Sequence, residues 1–192
     1  MRTRTTFGIG DEVVYPMHGI GWVANILTKM LTGQPRHFYQ IVSEARVHGD
    51  VLVPVDHARA LGLRRPLQAR HVPRVLRRLQ QAASRQPKKG QNASHYGWCK
   101  ACVRQRGALG LAEVRRFLHD LESRERLTDR RLRRLRTYVS TQLATEIAHA
   151  LHCSPTAAAH MVDVVLTPQH PMTTPETYPQ ICQGFDKDID SC

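Results

Sequence analysis

No apolar run in the 192 residues approaches the ~20 needed to cross a bilayer, so no membrane-spanning helix is expected. The basic opening Met1-Arg-Thr-Arg-Thr-Thr6 has no apolar stretch behind it, which argues against a secretory signal and for a cytoplasmic, nucleoid-associated protein. Cysteine is scarce and odd in number. Cys99, Cys102, Cys153, Cys182 and Cys192 are irregularly spaced, which argues against a disulfide framework. No fixed-period repeat is present. Gly8, Gly10, Gly19 and Gly21 are not followed by Lys-Ser/Thr or by an opening helix, so they are not a phosphate loop. Neither paired carboxylates in a glycine frame nor a nucleophile elbow occurs. The eleven histidines are scattered, and His18 reads as part of a Pro-x-His-Gly turn. No catalytic residue, cofactor or enzymatic activity is expected.

The most telling scarcity is of acid in one stretch. Residues 59–136 hold 22 of the 28 Lys and Arg but only five acids, Glu113, Asp120, Glu122, Glu125 and Asp129. That stretch carries +17 and the rest of the chain −5, within an overall +12. Positive charge concentrated in a helical segment is the footprint of a phosphate-backbone partner.

What is present divides by period. Over the first ~55 residues, short apolar and β-branched runs alternate with glycine turns. Glu12–Tyr15 follows Gly10-Asp11, Ile20–Lys29 is a longer run, and Thr32-Gly33-Gln34-Pro35 reads as a hairpin loop. His37–Ser43 and Val51–Val55 complete the set, and Trp22 reads as packing inside a curved sheet or barrel. From residue 56 the spacing becomes helical. Asp56 can cap a short helix, His57–Leu61, ended by Gly62. Further helices are expected over His71–Ala83, Ser94–Arg106 and Leu109–Ser123, from a Thr128 cap to His152, and from Ser154-Pro155 to Leu166. The stretch after 166 has four prolines and no period, and disorder is expected there. The fold class expected is α+β: a small Tudor-like β-barrel over 1–66, then an all-helical domain of about five helices over 67–166, then the tail 167–192.

The run Phe7-x-Ile9-Gly10-Asp11-x-Val13-Val14-Tyr15-Pro16-x-His18-Gly19-Ile20-Gly21 resembles the opening of the CarD/CdnL family of bacterial transcription regulators. The resemblance continues through Phe38-Tyr39, Val53-Pro54-Val55 and Ala60-Leu61-Gly62-Leu63-Arg64, and the same barrel is similar to the polymerase-interacting domain of transcription-repair coupling factors. A looser likeness runs through Trp98, Ala112-Glu113-Val114-Arg115-Arg116-x-Leu118, Leu127-Thr128-x-x-x-Arg131 and Leu143-Ala144-x-Glu146.

The resemblance implies a barrel that binds the β subunit of RNA polymerase by strand addition, with Lys29, Val51, Leu52 and Val53 as candidate contacts. Lys29 sits where the family often carries a basic contact, whereas Leu52 is not basic; the bland reading of Lys29 is a solvated edge lysine. The resemblance also implies contact with promoter DNA at the upstream edge of the bubble, stabilising the open complex. Trp98 matches the family's minor-groove wedge; its alternative is core filling. Phosphate contacts would come from Lys88, Lys89, Lys100, Arg104 and Arg106. Cys99, Ala101 and Cys102 stand where the family is more basic. A monomer is expected.

Two other readings stay open. One is a basic nucleic-acid-binding protein independent of polymerase. The other is a zinc-stapled interaction module using Cys99 and Cys102 with His95, His149, His152 or Cys153. A redox role for the CxxC lacks the βαβ setting it needs.

Overall fold

A computed structural model describes residues 6–43, 49–81, 94–124, 127 and 129–167. The chain divides into two compact units, Met1–Pro66 and Leu67–Cys192. Among the described residues, no helix is long and apolar enough to cross a membrane.

The first unit is a four-stranded antiparallel sheet in the order β1 (Glu12–Tyr15), β2 (Gly19–Leu31), β3 (Gln34–Ser43), β4 (Val51–Pro54). Period-two alternation turns Val23, Tyr39, Ile41 and Val53 inward, where they pack with Phe7, Val13, Val55, Ala58 and Leu63. Tyr39 is wholly buried, and its hydroxyl is satisfied by the backbone N–H groups of Thr6 (3.0 Å) and Phe7 (3.2 Å). The β2–β3 turn is tighter than the expected four-residue loop. Only Thr32 and Gly33 form it, both at positive φ (49° and 78°), and Gln34 and Pro35 already belong to β3. Pro35 is tolerated because β4 covers only Phe38–Ile41, leaving the proline on a free edge.

The expected barrel does not close: among the described residues β1 and β4 are both edges. Closure would need the outer edge of β1, and Arg64 occupies it. Val14 N–H donates to the Arg64 carbonyl at 2.7 Å, and Arg64 N–H returns to Val14 at 3.2 Å. Trp22, expected inside, faces out at 38% exposure, because it alternates with the buried Gly21 and Val23. The expected helix His57–Leu61 is a 3-10 turn, Val55–His57, followed by turns to Gly62 (φ 91°); Pro54, not Asp56, precedes it.

The second unit holds four helices: α1 (Val72–Gln80), α2 (His95–Arg124), α3 (Arg130–Leu151) and α4 (Pro155–Leu166). The count is four rather than five because the break expected between Arg106 and Leu109 shrinks to one non-helical residue, Gly107 (φ 57°, ψ −136°), inside α2. The two arms of α2 fold back on each other there. A Cβ on Gly110 would collide with the backbone carbonyl of Cys102, whose carbon would be 2.8 Å away. Asp129 caps α3 by accepting from Arg131 N–H at 2.7 Å, and the expected cap Thr128 lies outside the described residues. Ser154 caps α4 with Pro155 at its first turn, as the Ser-Pro pair implied. The apolar stripes meet in one core that includes Leu76, Leu79, Leu111, Leu118, Val139, Leu143, Ile147 and Met161. The tail after Thr167 lies outside the described residues.

Candidate nucleic-acid and polymerase interfaces

In the helical unit the first arm of α2 starts at Ser94, whose hydroxyl accepts from Gly97 N–H at 3.2 Å. Trp98 follows, half-buried. Its ring meets Phe117 edge-on, with centroids 5.1 Å apart at 67°, and His95 meets the same Phe117 ring at 5.3 Å. Trp98 is therefore held from one side by the opposite arm of α2. A ring fixed in this way can offer its remaining face without ordering on contact, which lowers the entropic cost of binding.

The cations nominated for phosphate differ in their freedom. Arg104 is exposed. Lys100 is exposed too, with its ammonium 5.6 Å from the centre of the Tyr96 ring. Arg106 is half-exposed but pairs with Glu113, a carboxylate with no exposure. Arg78, from α1, reaches the same carboxylate at 2.8 Å. Glu113 thus ties α1 and both arms of α2 together, and Arg106 is part of that tie. Lys88 and Lys89 lie outside the described residues.

Cys99 and Cys102 line the inside of the first arm. Burial pushes the Cys99 thiol up to about 12, with Cys102 adding to the effect. Burial likewise raises Cys102, and the Glu113 carboxylate adds to it. Both behave as small apolar side chains rather than thiolates. Among the described residues no three His, Cys, Asp or Glu come close enough to hold a metal, so the zinc reading finds no site there.

Elsewhere the described acids of the bundle are engaged within it. Arg115, nine-tenths buried, pairs with Asp163 at 3.1 Å, and burial lowers its guanidinium affinity for the proton. Arg116 pairs with Asp120 at 2.8 Å, Arg136 with Glu122, and the buried Glu146 accepts from Gln142 at 3.1 Å. The sequence shows Glu113 only as one more helix carboxylate. Its burial was detectable as the residue between Ala112 and Val114 on an apolar stripe, but its partners, seven and 35 positions away, were not.

Among the described residues of the first unit, β4 is an edge of the sheet. Val53 is fully buried, Val51 half-buried, and Leu52 faces out at 36% exposure. Any contact through Val53 is therefore a backbone contact. Leu52 lies opposite Gln40, and Trp22 opposite Val42, so the four share the outer face of the sheet. Beyond β1, the β2–β3 hairpin runs on as an arm. Lys29 sits on it, exposed and directly opposite Arg36, and Met30 and Leu31 are exposed at its tip. Like charges facing across a ladder destabilise it, so the arm suits an acidic partner.

Residues 7–67 match the family model of the CarD-like/TRCF RID domain. No curated protein matches the chain.

Proposed function

With a CarD-like/TRCF RID domain at its N-terminus, this chain is, we propose, a transcription regulator that joins RNA polymerase to promoter DNA and stabilises the open complex. The observation that carries the reading is that the match, 7–67, coincides with the compact unit Met1–Pro66, in which β4 presents an edge. The polymerase partner is its β subunit, joined by strand addition. Backbone hydrogen bonds at the edge supply affinity, and outward side chains such as Leu52 supply specificity. Lys29 and Arg36 add attraction for acidic residues and relieve their mutual repulsion on contact.

The helical unit meets DNA at the upstream edge of the bubble. Trp98, fixed against Phe117, inserts at the distorted base step, and Lys100 and Arg104 hold neighbouring phosphates. Because the indole finds its site only in distorted DNA, it favours the melted state over the closed duplex, and that difference in affinity shifts the equilibrium. No bond is made or broken by the protein.

Two variants of the full chain test the reading. Leu52→Glu should weaken capture of the polymerase β subunit, since a carboxylate on the outer face repels an acidic partner. Trp98→Ala should leave capture intact and shorten open-complex lifetime after heparin challenge by about 5-fold or more, the loss of an aromatic–base contact of about 1–3 kcal/mol. Unchanged capture by a folded Leu52→Glu variant would count against contact at that face. An unchanged lifetime with folded, polymerase-bound Trp98→Ala would make Trp98 a packing residue.

A further inference from the structure

Deepening the DNA-binding half of the proposed function, we infer that the main phosphate-binding face of the helical unit is the start of α3, formed by Arg130, Arg131, Arg133 and Arg134. All four are exposed, and none has an ion pair among the described residues. Leu132, between them, and Leu135, just after them, are buried. Arg130, Arg133 and Arg134 are at i, i+3 and i+4, so they form one ridge, and Arg131 flanks it. Along the axis the four charges span about 6 Å.

Three features single out this face. First, every acid described in the bundle has a structural commitment. Glu113 holds Arg78 and Arg106, Asp120 holds Arg116, Glu122 holds Arg136, Asp163 holds Arg115, Asp129 caps α3, and Glu146 is buried beside Gln142. None forms an ion pair with the ridge. Second, the cations lie on the first two turns of α3, where the one described acid, Asp129, is held as the cap on Arg131 N–H. Side-chain cations at that end oppose the helix dipole, so an external phosphate relieves an unfavourable charge that the fold leaves in place. Third, the first arm of α2 has fewer free cations than its sequence suggests, since Arg106 serves Glu113. The ridge holds four charges in five residues, against Lys100 and Arg104 on the arm. The partner is the sugar–phosphate backbone of duplex DNA, contacted without sequence preference, because phosphate contacts position a protein but do not read bases.

The test uses the full chain, a duplex of arbitrary sequence, and affinity measured against salt. Arg130→Gln/Arg133→Gln/Arg134→Gln removes three charges from the ridge. Arg70→Gln/Arg74→Gln/Arg77→Gln removes three exposed charges near and on α1 and is the matched control. The ridge triple should weaken binding at least 10-fold at low salt and flatten the log–log salt slope by about 0.9 for each phosphate lost, thus about 2 to 3 in all. The control should flatten it by less than about 1. The ridge triple should also melt no lower than the parent, because the cations it removes oppose the dipole. Equal loss in the two triples would overturn the proposal in favour of net charge alone. So would an unchanged slope in the ridge triple, including the case where it loses polymerase binding instead, which would make the ridge a protein contact. If the parent chain binds no duplex, the DNA half of the proposed function falls together with the ridge. If the ridge triple loses slope while Trp98→Ala keeps the parent open-complex lifetime, only the wedge falls.

Discussion

Alanine at Gly110 and alanine at Gly97 are the same substitution in the same helix, and they should move stability in opposite directions. At Gly110 a Cβ would press into the backbone of Cys102, with the carbonyl carbon 2.8 Å away and the Arg106 Cβ at 3.1 Å. The obstacle is mainly backbone, so it cannot turn aside as a side chain can. The arms of α2 must part instead, loosening contacts made across them, such as Trp98 on Phe117 and Arg106 on Glu113. Overpacking of a close-packed core costs about 1–3 kcal/mol, and a clash with backbone belongs at the upper end. The helix propensity gained over glycine returns up to about 1 kcal/mol. The net loss is about 2 kcal/mol, which for a helical unit of this size lowers the melting temperature by roughly 8 °C. At Gly97 the nearest atom to a new Cβ is the Ser94 Oγ at 3.5 Å, an ordinary contact. There only the propensity term remains, and Gly97→Ala should gain up to about 1 kcal/mol. Thermal melts followed by circular dichroism read both. DNA affinity adds a functional axis, since parting the arms displaces Trp98. A Gly110→Ala protein that melts with the parent would refute the close approach of the arms, and with it the support given to Trp98.

Removing the shared carboxylate with Glu113→Gln should cost about 3 kcal/mol in urea unfolding, the lower end for a broken buried ion pair, because Arg106 is half-exposed and can turn to water while Arg78 cannot. A loss under about 1 kcal/mol would show that the pairs are worth no more than surface bridges. Cys99 has a folded-state pKa of about 12 against an ordinary 9.0, so the folded protein holds its proton more tightly than the unfolded chain does. The stability this contributes is complete below pH 9.0 and is lost as pH rises towards about 12. Its loss has a slope of at most about 1.4 kcal/mol per pH unit. Cys99→Ala should flatten that alkaline limb, and unfolding curves from pH 8 to 11 that keep the same slope in the variant would assign the limb to other groups. On the arm of the first unit, Lys29→Glu should slow polymerase association most at low salt and stabilise the hairpin slightly, since it replaces a like-charge pair with Arg36 by an opposite one. A salt-independent effect would remove the electrostatic part of the polymerase reading.

Local order was legible from the chain alone wherever one short pattern decides it. Short apolar and β-branched runs between glycine turns placed the strands Glu12–Tyr15 and Val51–Val55, the second one residue longer than the observed Val51–Pro54, because such runs are visible within a few residues. Ser154-Pro155 marked the start of α4, because cap and first turn are adjacent in sequence. The stripe Leu132, Leu135, Tyr138, Val139, Leu143, Ile147 and Leu151 marked the packed face of α3 for the same reason, with Tyr138 and Leu151 only partly buried. The RID-type opening was readable as well, since its turn residues sit at fixed offsets. Features that depend on what meets across a distance were settled only by the tertiary structure. The sheet stays open because Arg64 returns to the edge of β1, a pairing of residues 50 apart that no local pattern encodes. Trp22 was misplaced indoors because alternation tells which residues share a face but not which face is covered. Gly107 looks like any glycine between two helical runs. That it bends one element back on itself, so that Gly110 meets Cys102 and Trp98 meets Phe117, follows from how the two arms pack. Charge count alone led to the expectation of a phosphate partner for the helical half. Which arginines are free for it depends on which acids the folded bundle has already used, and ion pairs between helices form only once the helices have met.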